Sequence, residues 1–146
     1  MRLVKLWSVV LGVFLVSAGH AEPAKQDATP SSSLVIEEIK AGHGATAHEG
    51  ARLRVHYTGW LYDAKMPNHA GRKFDSSVDR KQPFEFVLGA RQVIPGWEEG
   101  TMGMQVGGVR RLIIGPDLAY GERGAGGVIP PGATLVFEVQ LLAVSE

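Results

Sequence analysis

The stretch Gln92-Val93-Ile94-Pro95-Gly96-Trp97-Glu98-Glu99-Gly100 decides the fold. Pro95 disfavours helical backbone at Ile94 but suits the first turn of a helix itself. The chain therefore runs extended through Val93-Ile94 and enters a short helix headed by Trp97. Gly96 lets the turn close. Glu98 and Glu99 fall in the first turn, where the helix dipole favours negative charge. Thr101-Met102-Gly103-Met104 ends the helix soon, because glycine costs about 1 kcal/mol inside one. A tryptophan in that place, flanked by Val93 and Ile94, is either core or the floor of a pocket.

On the C-terminal side, Gly107-Gly108 opens a strand over residues 109–114, closed by Gly115-Pro116. Ala119-Tyr120-Gly121 leads into a glycine-rich loop, residues 121–127, which ends at Val128-Ile129-Pro130-Pro131-Gly132. Residues 134–142 then alternate. Leu135, Phe137, Val139 and Leu141 share one face, and Val136, Glu138 and Gln140 the other, the period of a half-buried strand.

On the N-terminal side, residues 83–89 alternate in the same way, with Phe84, Phe86 and Leu88 together. So do residues 52–59, with Leu53, Val55 and Tyr57 together. Between them, Asp63, Pro67, Asn68 and Gly71 mark residues 62–72 as an exposed loop or bulge, followed by Phe74-Asp75-Ser76-Ser77 and Arg80. Residues 34–39 read as a first strand. About five strands and one convincing helix give an α+β fold, an antiparallel curved sheet wrapped around one short helix.

Residues 1–21 have the three regions of a secretory signal: Arg2 and Lys5, an apolar core from Leu6 to Val16 too short to span a bilayer comfortably, and small residues at Gly19 and Ala21. An uncleaved membrane anchor is the competing reading. Residues 22–33, with Pro23, Pro30 and Ser31-Ser32-Ser33, form a flexible leader, so the folded domain spans 34–146. The expected protein is exported, to a periplasm first and otherwise secreted, without stable membrane insertion after cleavage.

Charges balance at 15 against 15, which points away from a nucleic-acid partner. With no cysteine there is no disulfide, thiol nucleophile or thiolate metal site. Gly121, Gly124, Gly126 and Gly127 suggest a phosphate loop, but no Gly-Lys-Ser/Thr follows and Pro130-Pro131 stands where its helix would start. His43, His48, His56 and His69 lack metal-ligand spacing and read as exposed loop residues, apart from His56 on the polar face of its strand. Neither a cofactor nor a metal is expected. What recurs instead is an aromatic and branched set at the ends of strands, helix and loops. Tyr120, Val128 and Ile129 flank a glycine-rich loop, and apolar groups there suggest the rim of an open concave site.

Val55-His56-Tyr57-Thr58-Gly59, Phe74-Asp75-Ser76-Ser77 with Arg80 and Pro83-Phe84, Val93 to Gly100, Ala119-Tyr120-Gly121, and Ile129 to Phe137 together resemble the FKBP family of macrolide-binding peptidyl-prolyl cis/trans isomerases. The likeness covers roughly residues 34–144, in the family's order. It implies a pocket between sheet and helix with Trp97 as floor and Tyr57, Phe74, Phe84 and Phe137 as walls. Val93 and Ile94 would lie along one side, and Tyr120, Val128 and Ile129 at the rim. Asp75 would be the polar member inside, held by Tyr57 and Arg80. Donors would be the Tyr120 hydroxyl and the Ile94 amide. The substrates implied are proline-containing polypeptides, and macrolides such as rapamycin are implied ligands. The 62–72 loop is longer than in the smallest members, and Ala125 stands where many members carry a larger loop residue; both bear on substrate preference and macrolide affinity. A chaperone that grips unfolded or proline-containing chains, with incidental isomerisation, would use the same pocket. A carrier of a small apolar ligand would need a closed one. For Asp75, Arg80 and Tyr57 the alternative is an ion pair that merely closes the core.

Overall fold

The computed structural model describes residues 33–146. The signal and nearly all of the leader read from the sequence lie outside them. Six strands and one α-helix follow: β1 (Leu34–Lys40), β2 (Arg52–Tyr62), β3 (Ala70–Ser76), β4 (Phe84–Val87), α1 (Pro95–Thr101), β5 (Val109–Ile114) and β6 (Leu135–Ser145). All pairs are antiparallel, in the order β1-β5-β6-β2-β3, with β4 also on β2.

The sixth strand is β3, which takes in part of the stretch expected to be loop. The excursion is confined to the residues between Tyr62 and Ala70. A 3-10 turn at Pro67–His69 closes it, with Asn68 and His69 at positive φ. His69 is not an exposed loop residue: it is half-buried and stacks on Tyr62 with ring centroids 4.9 Å apart.

β3 and β4 divide one edge of β2. β4 pairs with Arg52–Val55 and β3 with Thr58–Tyr62. Ser77 fills the gap between them. Its Oγ accepts the Tyr57 N–H at 2.8 Å, and its own N–H donates to the Tyr57 carbonyl at 3.0 Å. Ser77 is fully buried because of this, its backbone and hydroxyl standing in for the ladder bonds that neither strand supplies. The arrangement sets Tyr57 beside the end of β3, where Asp75 sits opposite Gly59.

The core lies between the concave face of the sheet and α1. Leu53, Val55, Phe86, Leu112, Ile114, Leu135, Val139 and Leu141 are buried there with Trp97. Val136, expected on the outer face, is buried as well, in register between Trp60 of β2 and Ile113 of β5. α1 comes close to β5: a Cβ on Gly96 would stand 2.4 Å from a methyl of Ile114. Gly96 is thus needed for helix–sheet contact rather than for the turn.

Candidate active site

Trp97 heads α1 and is 4% exposed. Its indole meets Tyr57, Phe86 and Phe137 edge-on at 5.1, 5.7 and 5.4 Å between ring centroids. Such contacts set ring positive edges against negative faces and fix the orientation of each ring. Phe84 adds a fourth neighbour at 6.1 Å, and Phe74 stands against Phe137 at 5.6 Å. Gly59 makes the last contact possible. A Cβ there would fall 2.7 Å from Phe74 and 2.8 Å from Phe137, so both rings lie over bare backbone.

Over this cluster opens a cavity of about 150 Å³. Trp97, Tyr57, Phe74, Phe84 and Phe137 line it, with Val93 and Ile94 from the approach to α1, Asp75 from β3 and Tyr120. Gln92 is also in the lining, a residue not singled out in the sequence. Its Oε1 accepts the Val87 N–H at 2.8 Å, so it ties the end of β4 to the approach to α1.

Three residues from the resemblance fall outside that lining. Arg80 is reached through Asp75, which it holds. Val128 is 45% exposed on the loop and lends its carbonyl to Arg72 at 3.0 Å. Ile129 is 6% exposed and belongs to the core cluster, not to an open rim. Its carbonyl accepts the Ala125 N–H at 2.9 Å and its N–H returns to the Ala125 carbonyl at 3.0 Å, which closes the glycine-rich loop on itself.

The polar side of the cavity is a three-membered cluster. The Tyr57 hydroxyl and the Arg80 guanidinium both donate to Asp75. Arg80 Nη2 also donates to the Tyr57 hydroxyl oxygen at 3.1 Å, and its Cζ lies 5.8 Å from the Tyr57 ring centre. Burial pushes the Asp75 carboxyl up, but the Tyr57 and Arg80 hydrogen bonds and the Arg80 charge outweigh it and leave the group below its ordinary value. Burial, and then donation to Asp75, push Tyr57 up. Burial and the Asp75 charge do the same for Tyr120. At neutral pH the site therefore holds a carboxylate and two protonated phenols.

Two further lining residues, Ile94 and Tyr120, carry donors that meet no acceptor among the described residues. Ile94 caps α1, its carbonyl taking the N–H groups of Trp97 and Glu98 at 2.9 and 3.2 Å. Among the described residues no acceptor meets the Ile94 N–H itself. Tyr120 is 39% exposed, and its hydroxyl has no partner among the described residues. An apolar cavity with open donors, the buried Trp97 Nε1–H among them, and no nucleophile–base pair in its lining suits binding and reshaping of an uncharged group.

Comparison with known proteins agrees with that chemistry. The family model described as FKBP-type peptidyl-prolyl cis-trans isomerase matches residues 44–142. The FK506-binding protein of Neisseria meningitidis serogroup A is 54% identical over 114 residues, covering 78% of this chain and 98% of the relative. Among solved structures, FkpA from Escherichia coli is similar with a TM-score of 0.67 and 41% identity, over 77% of this chain and 48% of that one. AtFKBP13 gives a TM-score of 0.66 and 35% identity, over 77% of this chain and 93% of that one.

Proposed function

Since this chain belongs to the FKBP-type peptidyl-prolyl cis-trans isomerases, an enzyme family that rotates Xaa-Pro bonds, we propose that rotation takes place in the cavity over Trp97. Uncatalysed rotation crosses a barrier of about 18–20 kcal/mol and takes tens to hundreds of seconds. No covalent bond changes partners, so neither a nucleophile nor a proton relay is required. Resonance in the planar amide places positive character on nitrogen and negative on oxygen. Twisting removes it and leaves a less dipolar group. Transfer from water to a cavity walled by Tyr57, Phe74, Phe84, Trp97 and Phe137 therefore disfavours the planar ground state more than the twisted one.

Binding supplies the rest. The proline ring sits over the Trp97 indole, beside Val93. The Ile94 N–H and the Tyr120 hydroxyl donate to carbonyls of the twisted backbone, contacts worth most when the backbone is twisted. Asp75, fixed by Tyr57 and Arg80, sets the field in the cavity without taking a proton. The observation that carries this reading is the presence of unpartnered donors, the Ile94 N–H and the Tyr120 hydroxyl, on residues lining a cavity walled mainly by aromatic rings. The test is turnover of an uncharged proline peptide by Tyr120→Phe: loss of one such donor lowers kcat/KM about three- to tenfold. Unchanged turnover removes Tyr120 from the site.

The enzyme's clients are proline-containing polypeptides, and the resemblance of residues 1–21 to a secretory signal makes them proteins folding after export. The domain proper runs over 34–146, and the mature chain begins near Glu22. N-terminal sequencing from the producing cell decides this, since an intact Met1 on soluble cytoplasmic protein contradicts it. Macrolides such as rapamycin compete for the same cavity.

A further inference from the structure

Gln92 is an exposed residue that nevertheless lines the cavity over Trp97. An exposed glutamine side chain ordinarily keeps its rotamer freedom. This one is tied at its tip. Its Oε1 accepts the Val87 N–H at 2.8 Å. Val87 is the last residue of β4, a strand paired with β2, and its N–H is spent on Gln92. From Gln92 the backbone runs through Val93 to Ile94, the cap of α1.

The Val87 bond decides which way the carboxamide faces. A backbone N–H needs an acceptor, so oxygen is the bound end and Nε2, with its two N–H groups, is the free end. Among the described residues Nε2 meets no acceptor. Gln92 therefore presents a donor of set orientation on the lining that also carries the Ile94 N–H and the Tyr120 hydroxyl. A free donor alone does not name its ligand, but the cavity it lines does. Proline has no N–H, so backbone around an Xaa-Pro bond offers carbonyls in excess of N–H groups. A further donor on this lining matches that excess. The carboxylate of the cavity, Asp75, is already engaged by Tyr57 and Arg80.

We propose that Gln92 Nε2–H donates to a backbone carbonyl of the polypeptide beside the rotating bond. Gln92 is then a binding residue for the chain flanking proline, and the Val87 N–H is the group that orients it. The inference rests on rotation taking place in the cavity over Trp97. The carbonyl concerned lies off the rotating bond, so the contact is equal in the planar and twisted states and is felt in KM rather than kcat.

The test compares two variants on an uncharged, end-blocked proline peptide. Gln92→Glu keeps an oxygen for the Val87 N–H but turns the free end from donor into acceptor. Gln92→Met loses both. Each is expected to raise KM about fivefold, the size of one lost hydrogen bond, while Gln92→Glu keeps the parent's midpoint in urea. If the residue is only a tie to β4, Gln92→Glu turns over the peptide as the parent does, and the donor role is overturned. Single thioamide replacements at the carbonyls flanking the Xaa-Pro bond then find the partner, because sulfur is the weaker acceptor. One replacement should cost the parent about fivefold in kcat/KM and Gln92→Met nothing. Equal losses in both enzymes at every position overturn the contact. Tyr120→Phe separates this from the reading beneath it. Turnover lost in Tyr120→Phe but kept in both Gln92 variants overturns the Gln92 contact alone, whereas turnover kept in all three overturns the cavity assignment and the contact with it.

Discussion

The Glu98 carboxylate in the first turn of α1 accepts the backbone N–H of Gly89 at 2.6 Å, and its second oxygen takes that of Arg91 at 3.0 Å. Gly89 and Arg91 both have positive φ, at 87° and 57°. A helix residue thus holds the strained turn that delivers Val93 and Ile94 to the cavity. The sequence places Glu98 only as a favourable charge near a helix N-terminus, and the larger effect is this clamp. Glu98→Ala is expected to destabilise the fold by about 1–2 kcal/mol, with Glu98→Gln intermediate, since one amide can replace only part of a bidentate carboxylate. Glu99 is exposed, so Glu99→Ala is the control and should change stability by less than about 0.5 kcal/mol. Urea unfolding of the three variants measures this. Equal losses at the two positions reduce Glu98 to a dipole contact.

Asp75 separates the field-setting role from the structural one. Asp75→Leu removes the acceptor of two charge-assisted bonds at a position that is only half-buried, so the fold persists. Its kcat/KM should fall tenfold or more, about 1.4 kcal/mol in the barrier. Comparison with Arg80→Leu, which leaves the Tyr57 bond to Asp75 in place, reads out how much of the loss follows the carboxylate itself. A fully active Asp75→Leu enzyme makes the cluster a piece of architecture.

The α+β class, the helix and five of the strands were legible because alternation and the Ile94-Pro95 boundary are local signals. β3 was not. Gly71, Arg72 and Lys73 give it no apolar face, and its pairing with β2 is interrupted by two register shifts. It exists because the upper half of the β2 edge would otherwise be unpaired. In the same way, nothing local marks Ser77 as the residue that joins the two half-edges, or Gln92 as cavity lining. The aromatic members of the site were legible from their clustering at element ends and from the family resemblance. Ile129 was misplaced to the rim because loop ends are usually exposed, whereas its paired hydrogen bonds with Ala125 bring it into the core.

Trp97 reports occupancy of the cavity. Among the described residues the tryptophans are Trp60 and Trp97, and only Trp97 lines the cavity. Addition of rapamycin or a proline peptide should change tryptophan fluorescence, because burial of ligand against the indole alters its surroundings. Trp60→Phe should keep the change. Its loss in that variant assigns the signal to Trp60 and away from the site.

Activity should be nearly independent of pH across neutrality, and the reason lies in the three groups at the cavity. Asp75 sits below its ordinary value, so it is ionised throughout that range. Tyr57 and Tyr120 are both raised, so their hydroxyls keep their protons. No histidine lines the cavity; His56 points its Nδ1 to Ser77 Oγ at 2.9 Å. With an uncharged peptide, kcat/KM should therefore be flat from about pH 6 to 8, where an essential acid or base would impose a tenfold change per unit. Solvent deuterium should have almost no effect. Stability follows the same groups with opposite signs. The lowered Asp75 contributes stability above its unfolded pKa of about 3.9, and this is lost as pH falls through the lower folded value. The raised tyrosines contribute stability below about pH 10, lost as pH rises through their folded values. Both losses lie outside the assay window, so a slope there cannot come from unfolding through them. A slope near one around pH 6.5, abolished by His56→Gln, would instead put a histidine in the reaction and overturn rotation without proton transfer.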